Sequence, residues 1–171
     1  FGIMLWPFPF LPRQLSAVDG YTIGIASFFL ALLPNPRRYV AGFLKRSLMF
    51  CIPAGIATGL LVVGADAYMR ALDGYTPAQT QTVIAVVLSL SGLWVLVALS
   101  RPLNRARLLI VVAMYAIFVG MFMFSPAREF FGFVVLPAEL IAVALTAGAT
   151  AMLSIEAVDR IVNRLQRGVA L

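Results

Sequence analysis

Histidine is absent from this 171-residue chain, and cysteine occurs once, at Cys51. The first absence removes histidine acid–base chemistry and the usual zinc sites. The second rules out an internal disulfide, so Cys51 carries no information about redox compartment. Charge is scarce as well: only 12% of residues are charged, against 62% hydrophobic. A soluble domain averages about 25% charged residues, and water could not hold this chain as a monomer. The Gly-x-x-x-x-Gly-Lys phosphate loop and the nucleophile elbow are also missing, so nothing in the chain itself could hydrolyse ATP.

What remains is a series of long apolar runs separated by short polar stretches. Lipid is the solvent that suits such a chain. The pattern predicts an all-α integral membrane protein, a bundle of about five transmembrane helices forming one domain over 1–171. The spans cover about 15–33, 48–68, 82–99, 108–124 and 137–155, followed by a polar helical tail, 156–171. Each is long enough, at about 1.5 Å per residue, to cross a hydrocarbon core about 30 Å thick with little tilt. Pro34-Asn35-Pro36 ends the first span, because proline cannot continue the helical ladder. Trp94 suits an interfacial anchor, and the aromatic stretch 127–136 suits the interface ahead of the last span.

The net charge of +6 would suggest nucleic acid in a soluble protein. Here its distribution explains it, and no nucleic-acid partner is expected. Arg37, Arg38, Lys45, Arg46, Arg101, Arg105, Arg107, Arg160, Arg164 and Arg167 fall on one side of a five-span chain. Only Arg13, Arg70 and Arg128 fall on the other. The positive-inside rule places the ten in the cytoplasm, with the N-terminus outside and the C-terminus cytoplasmic. The chain opens at Phe1 without a signal-peptide layout, which leads to the expectation of a piece of a longer protein.

Ionisable groups inside spans are costly and draw functional attention first. Asp19 is the clear case. Asp66, Glu139 and Glu156 sit at span ends, where carboxylates ordinarily face the interface. Ser16, Asp19 and Thr22 follow at i, i+3 and i+6, sharing roughly one helix face, and offer a carboxylate and two hydroxyls. Hard cations such as Ca²⁺, Mg²⁺ or Mn²⁺ want such oxygens, and a packing helix with one satisfied polar patch is the equal alternative. Gly20 and Gly24, and again Gly55 and Gly59, have the small-xxx-small spacing that lets helices approach closely.

The stretch Phe8-Pro9-Phe10-Leu11-Pro12-Arg13-Gln14-Leu15, with Asp19, Thr22-Ile23-Gly24 and Pro34-Asn35-Pro36, resembles the sixth transmembrane helix of P-type cation-transporting ATPases. Among these it is most similar to the actinobacterial cation-transporting ATPase E group, which is linked to calcium. The four further spans and the cytoplasmic end agree with that family in number, spacing and charge. In its calcium pumps the sixth helix ligates the ion through an Asn and a Thr-Asp pair. Aligned on Pro12 and Gln14, Asp19 takes the Asn position, Thr22 the Thr position, and Ile23 stands where the Asp would be. The carboxylate is thus kept but moved one turn earlier.

The resemblance implies the C-terminal membrane part, helices six to ten, of an ATP-driven cation pump of the bacterial plasma membrane. It also implies calcium as the transported ion. ATP and Mg²⁺ would act only through cytoplasmic domains outside this chain, and those domains, the remaining helices and the lipid bilayer would be its partners. The loop Pro34–Arg46 would face the phosphorylation domain. The rival expectation is a small standalone membrane scaffold or accessory subunit. A secondary transporter fits less well, because no inverted repeat is visible.

Overall fold

The computed structural model describes residues 8–33, 43–72 and 74–168, without the side chains of 43, 45, 46 and 165–168. All regular structure among the described residues is helical. The first span is built of α1 (Pro12–Asp19), a π turn (Gly20–Gly24) and α2 (Ile25–Leu32). Then follow α3 (Phe43–Ala71), α4 (Pro77–Leu99), α5 (Arg105–Met123), α6 (Ser125–Phe131) and α7 (Ala138–Gly168). Five helical stretches are long and apolar enough to cross a membrane: Pro12–Leu32, Ser47–Ala71, Pro77–Leu99, Arg105–Met123 and Ala138–Arg164.

These match the five expected spans, with longer ends. The connection left between the second and third expected spans, 69–81, is partly helix, because α3 runs on to Ala71 and α4 begins at Pro77. Thr76 caps α4 through a capping box with Gln79, and proline sits in the first turn, where its missing N–H costs nothing. The tail continues α7 without a break. The Pro34-Asn35-Pro36 stop, Arg37 and Arg38 lie outside the described residues, as do the side chains of Lys45, Arg46 and Arg167.

Helix α4 is the hub. It is apolar on every face, which is the composition of a helix surrounded by others. Ala85, Leu93 and Leu96 pack with the first span and α5. Val83, Val86 and Leu90 pack with α7 and Met69 of α3. Ala98 packs with Phe50, Ala54 and Ile155. Its buried hydroxyls are satisfied within the helix, as hydrocarbon requires. Thr82 donates to Ala78 O at 2.8 Å, Ser89 to Ala85 O at 2.6 Å and Ser91 to Val87 O at 2.7 Å. Since the Ser89 proton is already used, the Tyr21 hydroxyl is the donor in the Tyr21–Ser89 hydrogen bond that ties the first span to α4.

Trp94 is half-buried and packs against the cluster of Phe50, Ile155 and Val162, and its indole Nε1 is enclosed without a hydrogen-bond partner among the described residues. The glycine expectations also shift. A Cβ at Gly20, Gly55 or Gly59 would meet nothing within 4 Å, and one at Gly24 only its own Asp19 carbonyl, so neither pair brings helices together. Close approach occurs instead at Gly92, against Thr22, and at Gly148, against Leu90.

Gln14 fixes how the first span enters. It is fully buried; its Nε2 donates to Gly132 O at 3.0 Å, while its Oε1 accepts from Leu11 N–H at 3.1 Å. Gly132 ends α6 in the left-handed region, at φ 72°, with the Arg13 side chain lying where a Cβ would go. The extended stretch beyond it is held by Val134 N–H donating to Thr82 Oγ1 at 3.2 Å. Gln14→Leu leaves the Gly132 carbonyl and the Leu11 N–H without these partners. It is expected to cost about 1–3 kcal/mol, the penalty for stranding buried polar groups. A lowered unfolding midpoint of the detergent-solubilised full-length protein would register it.

Candidate functional site

A cavity of about 620 Å³ opens between the first span and α3, backed by α4. Asp19, Thr22 and Ser27 line it from the first span, Cys51 and Thr58 from α3, and Gly92 from α4. The glycines of α3 explain its size. Cys51, Gly55, Thr58 and Gly59 recur at helical spacing along the cavity wall, and the side chains missing at 55 and 59 leave room. Gly20 and Gly24 bound the π turn that carries Thr22, a wide i→i+5 turn of a kind frequent at functional sites. The turn is closed by Ile25 N–H donating to Gly20 O.

Asp19 is exposed at the cavity, and Thr22 is buried beside it against Gly92. The Thr22 hydroxyl donates to Val18 O at 2.6 Å, and Ser27 donates to Gly24 O at 3.1 Å. With their protons directed into the helix backbone, both hydroxyls can offer lone pairs to a cation. A carboxylate with hydroxyl oxygens is a hard donor set. A charged Asp at the centre of a span is unfavourable by about 2.5–3.5 kcal/mol against hydrocarbon, so a carboxylate within a span needs water, an ion or a polar partner.

Ser16 stands apart. It is exposed, donates to Pro12 O at 3.1 Å and does not line the cavity. Three-residue steps lag about 60° on a helix of 3.6 residues per turn, so the outer members of an i, i+3, i+6 set lie about 120° apart. The π turn widens that drift. Conversely, Ser27 and Thr58 join Asp19 and Thr22 although sequence reasoning did not single them out. Thr58 had a signal, since it lies between Gly55 and Gly59 on the small-residue face of α3. Among the described residues no three His, Cys, Asp or Glu side chains gather as a metal site. Calcium takes about 6–8 oxygens, more than Asp19, Thr22, Ser27 and Thr58 together present on the cavity wall.

The boundary carboxylates behave differently from one another. Asp66 does not face the interface: it is fully buried and accepts from Arg70 Nε at 2.6 Å and Nη2 at 3.3 Å. Both line a second, polar cavity of about 300 Å³ with Thr80 and Gln81. Glu139 is exposed and accepts from the Tyr75 hydroxyl at 3.1 Å, and that hydrogen bond holds the Tyr75 phenol above its ordinary pKa. At the other end Glu156 and Asp159 grip Arg101 at 2.7 and 3.0 Å. Glu156 also pairs with Arg160 at 3.0 Å, so the end of α7 is pinned to the loop between α4 and α5.

The chain is 32% identical over 163 residues to a protein of Mycobacterium bovis named "Calcium-transporting ATPase CtpE", and equally to its namesake in Mycobacterium tuberculosis. It is 36% identical over 132 residues to the protein of that name from Mycolicibacterium smegmatis. These matches cover 92%, 92% and 72% of the chain. They span only 20%, 20% and 16% of the relatives' own lengths. No protein-family model and no solved structure matches.

Proposed function

Over most of its length the chain belongs with the bacterial calcium-transporting P-type ATPases, and from that kinship we propose that it forms part of the membrane region of an ATP-driven cation pump, with calcium as the transported ion. The kinship and the five apolar helices make it a multi-pass protein of the bacterial plasma membrane. ATP and Mg²⁺ act in this reading through domains that the chain does not contain, and the remaining ion ligands come from helices outside it. The observation that carries the proposal is the Asp19 carboxylate on the wall of a largely apolar cavity inside the bundle, with the hydroxyl-bearing Thr22, Ser27 and Thr58 among the other lining residues.

The cation enters as cargo. In the cavity the Asp19 carboxylate supplies the charge that offsets the cation's dehydration, and the hydroxyls replace part of its water shell. The π turn sets Thr22 at the cavity wall, and the close contact with Gly92 keeps it there. Sidedness follows the arginines: the Arg101 loop and the end of α7 are cytoplasmic, and Arg70 and Arg128 lie outside. The test is transport by the full-length protein in inside-out vesicles. ATP-dependent uptake of radioactive calcium, competed by unlabelled calcium more strongly than by Mg²⁺, is expected. Vesicles that hydrolyse ATP yet accumulate no cation would refute the proposal.

A further inference from the structure

Helices α5 and α7 do not close on each other. Helix α5 packs on the first span, α4 and α6, whereas α7 packs on α4 and α3. Between them lies a groove of about 320 Å³, floored by Val86 of α4 and walled by Phe118 and Phe122 of α5 and Leu145 of α7. Its lining is apolar with one exception, Arg128, at the corner where α5 gives way to α6. Exposed apolar side chains continue its rim: Met123 is 79% and Val135 70% exposed.

We propose that this groove binds one phospholipid, an acyl chain lying along α5 and α7 and the headgroup phosphate held by Arg128. The occupant follows from the surroundings. The helices that form the groove cross the hydrocarbon core, where an apolar gap is filled by chains of lipid rather than by water. The single cation sits at the end of α5, at interfacial height, where a phosphate belongs. Arg128 is half-buried and oriented: Nη1 donates to Phe122 O at 3.2 Å and Nη2 to Ser125 Oγ at 3.5 Å. A guanidinium has five N–H donors, so these two bonds aim it and leave donors for an oxyanion. The neighbouring carboxylate, Glu129, does not line the groove.

The test uses the full-length protein in phosphatidylcholine vesicles doped with a phosphatidylglycerol whose acyl chain carries a photoreactive diazirine. Sites of attachment are mapped by mass spectrometry. Labelling is expected to concentrate on Phe122 and Leu145, several-fold above Leu109 and Leu153, which are exposed elsewhere on the same helices. Arg128→Gln should lower groove labelling several-fold, and Arg128→Lys should retain most of it. Leu145→Trp, at an exposed position of the wall, should fill the groove and remove the signal while labelling at Leu109 persists. Groove labelling no higher than at Leu109 and Leu153, or unmoved by both Arg128→Gln and Leu145→Trp, would overturn the proposal. So would capture of another segment of the same protein by a photoreactive residue at position 145.

Discussion

Asp19→Asn is expected to reduce sharply the cation-stimulated ATP hydrolysis of the full-length protein at cation concentrations that just saturate the wild type. The substitution keeps the size of the side chain and an oxygen, but removes the only carboxylate that lines the cavity among the described residues. Interactions made by a charged group contribute about 1.5–3 kcal/mol, and about 1.4 kcal/mol is a factor of ten. The apparent cation affinity should therefore fall roughly 10- to 100-fold or more. Folding should survive, because Asp19 is exposed to the cavity rather than tied into the packing. Asp19→Glu, which retains the charge but displaces it by one methylene, should keep measurable stimulation at a raised cation requirement. An Asn variant stimulated by the same cation concentrations as the wild type would remove Asp19 from the ion path.

Arg70→Met is expected to destabilise the protein by about 3 kcal/mol, at the lower end of the range for breaking a buried ion pair. The Asp66 side chain is 1% exposed, so loss of the guanidinium strands a buried carboxylate; Arg70 itself is 35% exposed, which weakens the pair through screening. The diagnostic is the double variant. Asp66→Asn with Arg70→Met removes both charges and should recover most of the loss, since a neutral pair no longer carries the cost of burying an ion. Unfolding midpoints of the detergent-solubilised protein measure this. A single variant as stable as the wild type would mean that Asp66 needs no cationic partner.

Five spans were legible because hydrocarbon thickness sets a minimum length for any helix that crosses it, and loops between them must be polar. The ends were less so. Arg70 and Gln81 fell between the expected spans, but α3 and α4 extend past the apolar core, where helix still satisfies the backbone. Asp66 and Arg70 stand at i,i+4, a spacing that shows two groups can pair on one helix face, but not that the carboxylate is sealed from water. Gln14 was visible only as part of the motif Pro12-Arg13-Gln14-Leu15. Its partner, Gly132, lies 118 residues away, so no local pattern announces it.

The candidate site divides in the same way. Asp19 stood out because charge inside a span is rare, and Thr22 because it follows Asp19 at helical spacing. Ser16 was grouped with them by counting on an ideal helix, which neglects angular drift and cannot foresee the π turn at Gly20–Gly24. Thr58 and Ser27 needed the packing of two helices to bring them to one cavity. The glycines of α3 had a recognisable spacing, but spacing alone does not distinguish a helix pressed close from one that stands off. Here the absent side chains widen a cavity.

Equilibrium binding of radioactive calcium to the purified full-length protein without ATP, compared between wild type and Asp19→Asn, tests the central claim most directly. The expected result is saturable binding by the wild type that the variant loses at the same free calcium. Equal stoichiometry and affinity in the two proteins would contradict it.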